Sequence, residues 1–177
     1  MPWKNGGGVT RDVAVFPPGT GLDDFAWRLS IADVHVASPF SHFAGIDRSL
    51  SVLTGSLELA IEGDGVPVLL VPETGAHAFP GDVPVSGRPI DGMVRDLNLM
   101  VRRGAWRGRV DRLAEFPAAV AVDDAATMLV VATGDACVEV DEAAYPMTAL
   151  DALLVEGAGS IEIARAAPVH VVRIWSR

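Results

Sequence analysis

The 177-residue chain predicts an all-β fold made of two similar halves. Three observations carry this expectation. Apolar and polar residues alternate with a period of two along the clearest segments, the mark of a strand with two different faces. Eighteen glycines and twelve prolines divide the chain into short pieces, as antiparallel barrels require. A turn-and-proline pattern also recurs at a fixed offset. Thr54-Gly55 and Pro67 reappear 79 residues later as Thr133-Gly134 and Pro146, with Leu59 answering to Val138 and Ile61 to Val140.

In chain order, Trp3, Lys4 and Asn5 lead into Gly6, Gly7 and Gly8, just ahead of a strand-like run. Three consecutive glycines mark backbone that turns sharply or approaches something closely. The aromatic, the cation and the amide beside them form a set able to hold a small anionic molecule. Trp27, Leu29 and Ile31 then alternate with Arg28, Ser30 and Ala32. Ser51–Leu53 and Leu57–Ile61 flank Thr54-Gly55-Ser56 and read as a hairpin with a short loop. Leu97, Leu99 and Val101 alternate with Asp96, Asn98 and Met100. Arg112–Val120 has the only helical leaning, interrupted by Pro117. Met128–Ala132, a turn at Gly134-Asp135 and Cys137–Val140 repeat the style of the first half, and a last strand is expected over Val169–Trp175. Charge and Pro/Ala content change over residues 105–122, which divides the chain into a first unit over 1–108 and a second over 109–177.

Composition excludes several function classes. Half the residues are hydrophobic, enough for a packed core. No apolar run approaches the roughly 20 residues that span a bilayer, and the N-terminus lacks the layout of a signal peptide. A cytoplasmic protein without a membrane partner is the expectation. The single cysteine, Cys137, excludes an internal disulfide framework and lies in an alternating segment as a packed residue. A formal charge of −9 argues against a nucleic-acid partner. Seven of the fourteen basic residues nevertheless fall between Arg88 and Arg112, with three acids among them. Such a run reads as a solvated or salt-bridged stretch that can also help attract an anion.

The segments MPWKNGGGVTR, WRLSIADV (Trp27–Val34), PFSHFAGIDR (Pro39–Arg48), FPGDVP (Phe79–Pro84) and DLNLMVRR (Asp96–Arg103) resemble, in order, the signatures of the HutD/Ves family. The resemblance covers about the first 100 residues; the second half matches only in general style. It implies a bicupin, two small cupin-like β-barrels in one chain. It also implies a small-molecule binding protein with a regulatory role in histidine utilisation, sensing an intermediate such as urocanate or N-formylglutamate. The chain departs from the pattern by starting at MPWKNGGG, where relatives carry a further stretch. It also has Ala37-Ser38 where Asp-Gly is common, and Ala44 where proline is common.

Many cupins hold a metal through a His-x-His pair, a Glu and a later His. The four histidines here, His35, His42, His77 and His170, contain no such pair and read as surface or turn residues. Pro72–His77 faintly echoes a second cupin metal motif, but one ligand is not a site. No Gly-x-Ser-x-Gly elbow or phosphate loop is present. Neither metal nor cofactor is expected.

A polar and cationic set remains. In a small closed barrel, the alternation of Arg28 with Ser30 and of Asp96 with Asn98 can point polar groups into a ligand cavity. Lys4, Arg28 and Arg48 would then bind carboxylate, and Asn5, Ser30 and Asn98 would orient the ligand. Trp3 would cover its planar part, with Gly6 and Gly7 shaping the approach. Asp33, Asp47 or Asp96 would compensate the cations in the empty pocket. The expected partner is therefore a small anionic metabolite, bound without metal. The alternatives are a metal-free isomerase or hydrolase acting on such an acid, and a protein-interaction module. Unpaired barrel edges leave room for a homodimer.

Overall fold

The computed structural model describes residues 1, 3, 6–122, 127–157 and 159–177. It divides into two compact units, Met1–Arg107 and Gly108–Arg177. Among the described residues the only helical element is a single 3-10 turn at Pro72–Thr74, and no helix is long and apolar enough to cross a membrane.

The first unit runs through β1 (Gly8–Phe16), β2 (Trp27–Val34), β3 (Ser38–Pro39), β4 (Ile46–Thr54), β5 (Leu57–Ile61), β6 (Val68–Leu70), β7 (His77–Pro80), β8 (Val85–Pro89) and β9 (Val94–Arg102). These form a five-stranded sheet, β1-β2-β9-β4-β7, and a four-stranded sheet, β3-β8-β5-β6. Their apolar faces share one cluster that joins Val34, Leu50, Val52 and Val94 from the first sheet to Leu57, Leu59, Ile61 and Val85 from the second. The period-two reading of residues 27–32 and 96–101 matches strands β2 and β9. All eight residues of β2 are buried, however, so its polar face meets the inside of a barrel and not water.

The second unit contains β10 (Trp106–Leu113, which begins at the boundary), β11 (Ala118–Ala121), β12 (Thr127–Ala132), β13 (Ala136–Val140), β14 (Ala143–Met147), β15 (Ala152–Val155), β16 (Ser160–Ala166) and β17 (Val169–Ser176). Its two sheets are ordered β10-β17-β12-β15 and β11-β16-β13-β14. Each neighbour relation repeats one in the first unit eight strands earlier: β2-β9-β4-β7 and β3-β8-β5-β6. The units therefore share one topology, with β1 an addition to the first. That repetition is the physical content of the 79-residue sequence offset.

Both predicted hairpins are corrected. The turns exist, but β4 pairs with β7 and β9 while β5 pairs with β6 and β8, so the turn carries the chain between sheets. The equivalent strands β12 and β13 also lie in different sheets. At the first turn, Gly55 has φ +85°, and a Cβ there would lie 2.9 Å from the Met93 carbonyl oxygen. The turn is thus pressed against the chain entering β9, a contact that only glycine permits. The helical leaning of Arg112–Val120 is likewise replaced by the end of β10 and by β11. His170 is a third correction. It lies in β17, buried like its neighbours Val169, Val171 and Val172, not at a surface or turn.

Candidate ligand-binding site

Strands β2, β9 and β4 lie side by side, and their register builds three cross-strand rows on one face. Arg28, Met100 and Arg48 form the first row, Ser30, Asn98 and Leu50 the second, and Ala32, Asp96 and Val52 the third. Seven of these nine residues (Arg28, Ser30, Ala32, Arg48, Asp96, Asn98 and Met100) line a cavity of about 530 Å³. Trp3 and Thr10 border it on the side of β1, and Pro39, Phe40, Ser41 and Phe43 border it on the side of β3 and the loop that follows.

The polar residues of this face are buried: Arg28 is 7% exposed, Arg48 6%, Asp96 2% and Asn98 8%. Arg28 has a counter-ion, because its Nη2 pairs with Asp12 on β1. Arg48 has no ion pair among the described residues. Its guanidinium carbon sits 4.9 Å from the ring centre of Phe40 and 5.1 Å from that of Phe79, so two aromatic faces hold it in place of a carboxylate. Burial lowers its pKa to about 10; Asp96 opposes that shift and Arg28 adds to it. Asp96 shows the converse. Burial pushes its carboxyl up to about 7, against the pull of Arg48 and with a smaller push from Asp33.

Buried polar atoms in folded proteins are nearly always hydrogen-bonded. Here Arg48 Nε, Asp96 Oδ1 and Asn98 Oδ1 are buried without a partner among the described residues. A donor and two acceptors thus stand unspent around one cavity.

The other acids expected to balance the cations are engaged elsewhere. Asp33 accepts from Arg95 Nε at 2.5 Å and Nη2 at 3.0 Å and from Arg11 Nη2 at 2.9 Å. These contacts, Arg95 foremost, hold its carboxyl below the usual range. Asp47 accepts from Arg103 Nε at 2.6 Å. Much of the basic stretch is similarly consumed: Arg88 pairs with Glu58, Arg103 also with Asp82, and Arg109 with Asp111. Arg102 donates to the carbonyls of Asp23 and Phe25.

The glycine-rich segment folds Trp3 back over β1. The Trp3 amide donates to the Gly8 carbonyl (2.9 Å), and the Gly6 amide donates to the Trp3 carbonyl (3.0 Å). The Gly7 carbonyl accepts from the His35 amide at 2.9 Å. A Cβ on Gly8 would lie 2.4 Å from the Asp33 carbonyl oxygen and 3.2 Å from the indole. The indole needs that space; its Nε1 donates to Thr10 Oγ1 at 2.7 Å, and its ring meets Phe40 edge to face at 6.4 Å. Gly6 and Gly7 therefore shape the turn without lining the cavity, and Lys4 and Asn5 lie outside the described residues.

Sequence reasoning missed Thr10, Phe40 and Met100. The same-face rule already grouped Met100 with Asp96 and Asn98, whereas Phe40 was recognisable only as part of PFSHFAGIDR. Among the described residues no three His, Cys, Asp or Glu side chains group as metal ligands. His77 stacks on Phe79 at 6.4 Å, and His35 and His42 are exposed.

Two barrels of one topology, one of them enclosing a polar cavity, define a bicupin with a small-molecule-sized pocket. Structural likeness agrees: a cupin 2 conserved barrel domain protein from Leptotrichia buccalis superposes with a TM-score of 0.61 over 96% of this chain and 89% of its own, at 9% identity, which shows the fold alone. The HutD family profile matches residues 1–172, and the chain belongs to that family. A Pseudomonas putida protein named for the region 3′ of hutC is 42% identical over 62% of this chain and 57% of its own length. Protein Ves of Citrobacter koseri is 37% identical over 61% and 56%. The chain thus spans little more than half the length of these relatives. HutD from Pseudomonas fluorescens SBW25 matches with a TM-score of 0.83 and 33% identity, covering 100% of this chain and 93% of its own.

Proposed function

We propose that this protein binds a small carboxylate metabolite without a metal and acts as a regulator in histidine utilisation. One observation carries the reading. Arg48 is buried, held by two aromatic rings and not by an acid, with its Nε unpaired at a cavity of about 530 Å³. A guanidinium presents paired N–H donors that match the two oxygens of a carboxylate. Ser30 and Asn98 supply hydrogen bonds that orient the rest of the ligand, and Trp3 and Phe40 offer aromatic surface for a planar part. Lys4 and Asn5 adjoin Trp3 in the sequence and remain in the proposed set. The histidine-utilisation setting draws support from the Pseudomonas putida relative's place beside hutC and from the likeness to HutD. Urocanate and N-formylglutamate are the two ligands of choice.

Calorimetric titration with each compound, with glutamate and histidine as controls, tests the reading. Saturable binding is expected, lost in Arg48→Ala and Arg28→Ala and kept in Arg88→Ala, whose side chain is exposed. Absence of heat with every compound refutes the ligand class. Asp96, a buried carboxyl with a pKa of about 7 at the cavity, also favours a metal-free enzyme that moves a proton. Ligand recovered unchanged after incubation excludes that second reading; conversion establishes it.

A further inference from the structure

We infer that the cavity is built for a longer molecule of the same class than N-formylglutamate. Its ligand is an N-acyl amino acid whose carboxylate meets the arginine row and whose apolar acyl chain fills the end of the cavity at Met100, Phe43 and Leu22. The inference rests on the carboxylate-binding reading and specifies the size and polarity of the molecule.

Volume is the first observation. The cavity of about 530 Å³ falls in the range of roughly 300–1,000 Å³ that encloses a drug-sized ligand. Even at the roughly 30 Å³ that a water molecule takes up in the liquid, about twelve non-hydrogen atoms, the size of N-formylglutamate, claim about 360 Å³. Bonded atoms sit closer than that, so roughly a third or more of the space is left over.

The distribution of polarity says what fills it. The charged side chains and Asn98 stand on β2, β4 and β9, with Arg28 and Arg48 in the first row and Met100 between them. Beyond that row the barrel turns apolar. Met100 clusters with buried Phe25 and Ile46, and Phe43 packs against them. The ring of Phe43 meets that of Phe25 edge to face at 6.2 Å, which fixes it in place. Met100 and Phe43 both line the cavity, as does Leu22 from the loop between β1 and β2. Leu22 is 39% exposed, so the apolar end opens at the rim. These three side chains offer water little to bond, and apolar atoms laid over them would displace it favourably.

Shape gives the class. From Arg28 to Ala32 the cavity follows β2 for four residues, roughly 13 Å. A carboxylate on the arginine row therefore has room on both sides: a polar arm runs over Ser30 and Asn98, and an apolar arm runs past Met100 to Leu22. A carboxylate at a branch point, flanked by a polar side chain and an apolar chain, is the build of an N-acyl amino acid. The formyl group of N-formylglutamate is the shortest such chain.

Titration calorimetry of the full chain at about pH 7.5 with N-formyl-, N-acetyl-, N-butanoyl-, N-hexanoyl- and N-octanoylglutamate tests this. Affinity should rise about two- to fourfold with each added methylene, with one molecule bound per chain. Leu22→Asn, a change at an exposed rim position, should flatten that rise. Arg48→Ala should abolish binding of the octanoyl compound, because the head anchors the tail. Affinity that stays level or falls as the chain lengthens, while N-formylglutamate or urocanate binds, overturns the inference and leaves the carboxylate reading intact; this comparison needs no variant. A rise that both variants leave unchanged reports adsorption of the tail and overturns it too, as does binding of two urocanate molecules per chain, which would fill the space another way. No binding of any of these compounds overturns both readings.

Discussion

Replacing Arg48 with methionine should make the ligand-free protein more stable while removing its ability to bind. Burial holds the guanidinium at a pKa of about 10, between two and three pH units below its ordinary value. At about 1.4 kcal/mol per pH unit, keeping that charge inside the barrel costs about 3 kcal/mol relative to water. Its contacts with Phe40 and Phe79 return part of this, about 1–2 kcal/mol for two cation–π contacts. Methionine fills a similar volume, packs against both rings and needs no counter-charge. The net expectation is a gain of about 1–2 kcal/mol, or roughly 2–8 °C in Tm. Urea unfolding at pH 6 is the suitable assay, because Asp96, with a pKa of about 7, is then mainly protonated and does not miss its counter-charge. A higher midpoint with an unchanged slope reports stability alone. A variant less stable than the native protein by more than about 1 kcal/mol would show that Arg48 is structural, and the argument for an unspent cation would fail.

Two buried groups should give stability profiles of opposite sign. Asp96 has a raised folded pKa, so its contribution is complete near pH 4 and is lost as pH rises through 7; Asp96→Asn should remove that fall in urea titrations. His170 is held neutral, with its pKa lowered to about 4 by burial and then by Arg112. Its contribution is present above pH 6.5 and disappears as pH drops toward 4, a loss that His170→Leu should abolish because both ring nitrogens lack partners. Gly8→Ala places a methyl 2.4 Å from the Asp33 carbonyl oxygen and against the Trp3 ring. It should cost about 1–3 kcal/mol and weaken urocanate binding, read by thermal melts and calorimetry; native-like values for both would show that the indole does not depend on that close approach.

The strands were legible because alternation is a direct consequence of the pleat, and β2 and β9 carry it without interruption. The same rule put Arg28 with Ser30 and Asp96 with Asn98 on common faces. What alternation cannot state is which face closes on itself. The Thr54-Gly55-Ser56 turn illustrates the limit: its residues announce a reversal, but whether the next strand pairs with the last or crosses to another sheet depends on contacts made much later in the chain, here at Met93. Charge pairing was equally hidden. Nothing local to Arg28 points to Asp12, and nothing near Asp47 points to Arg103, 56 residues away. Arg48 and Phe40 share the segment Pro39–Arg48, but the second ring that holds the guanidinium, Phe79, comes from β7. His170 was misread because a lone histidine between valines carries no sign of its depth.

The duplicated topology gives a reference for what the first barrel retains. In the second, the corresponding strands β12 and β17 send Met128, Val130, Val169 and Val171 into a wholly apolar cluster with Val138, Ile161 and Ile163. The fold therefore has no need of buried charge to close this barrel. In the first, the strands in the same places carry Arg48, Asp96 and Asn98, each with a buried atom that lacks a partner. Each such group costs on the order of 1–3 kcal/mol when left unmet. If a ligand completes this polar interior, as proposed above, its stabilising effect belongs in the first unit. Hydrogen exchange with and without urocanate makes the point measurable: protection should rise across β2, β4 and β9, while β12 and β17 stay as they were. Protection that rose equally in both units would mean that the ligand acts on the fold as a whole and not through this cavity.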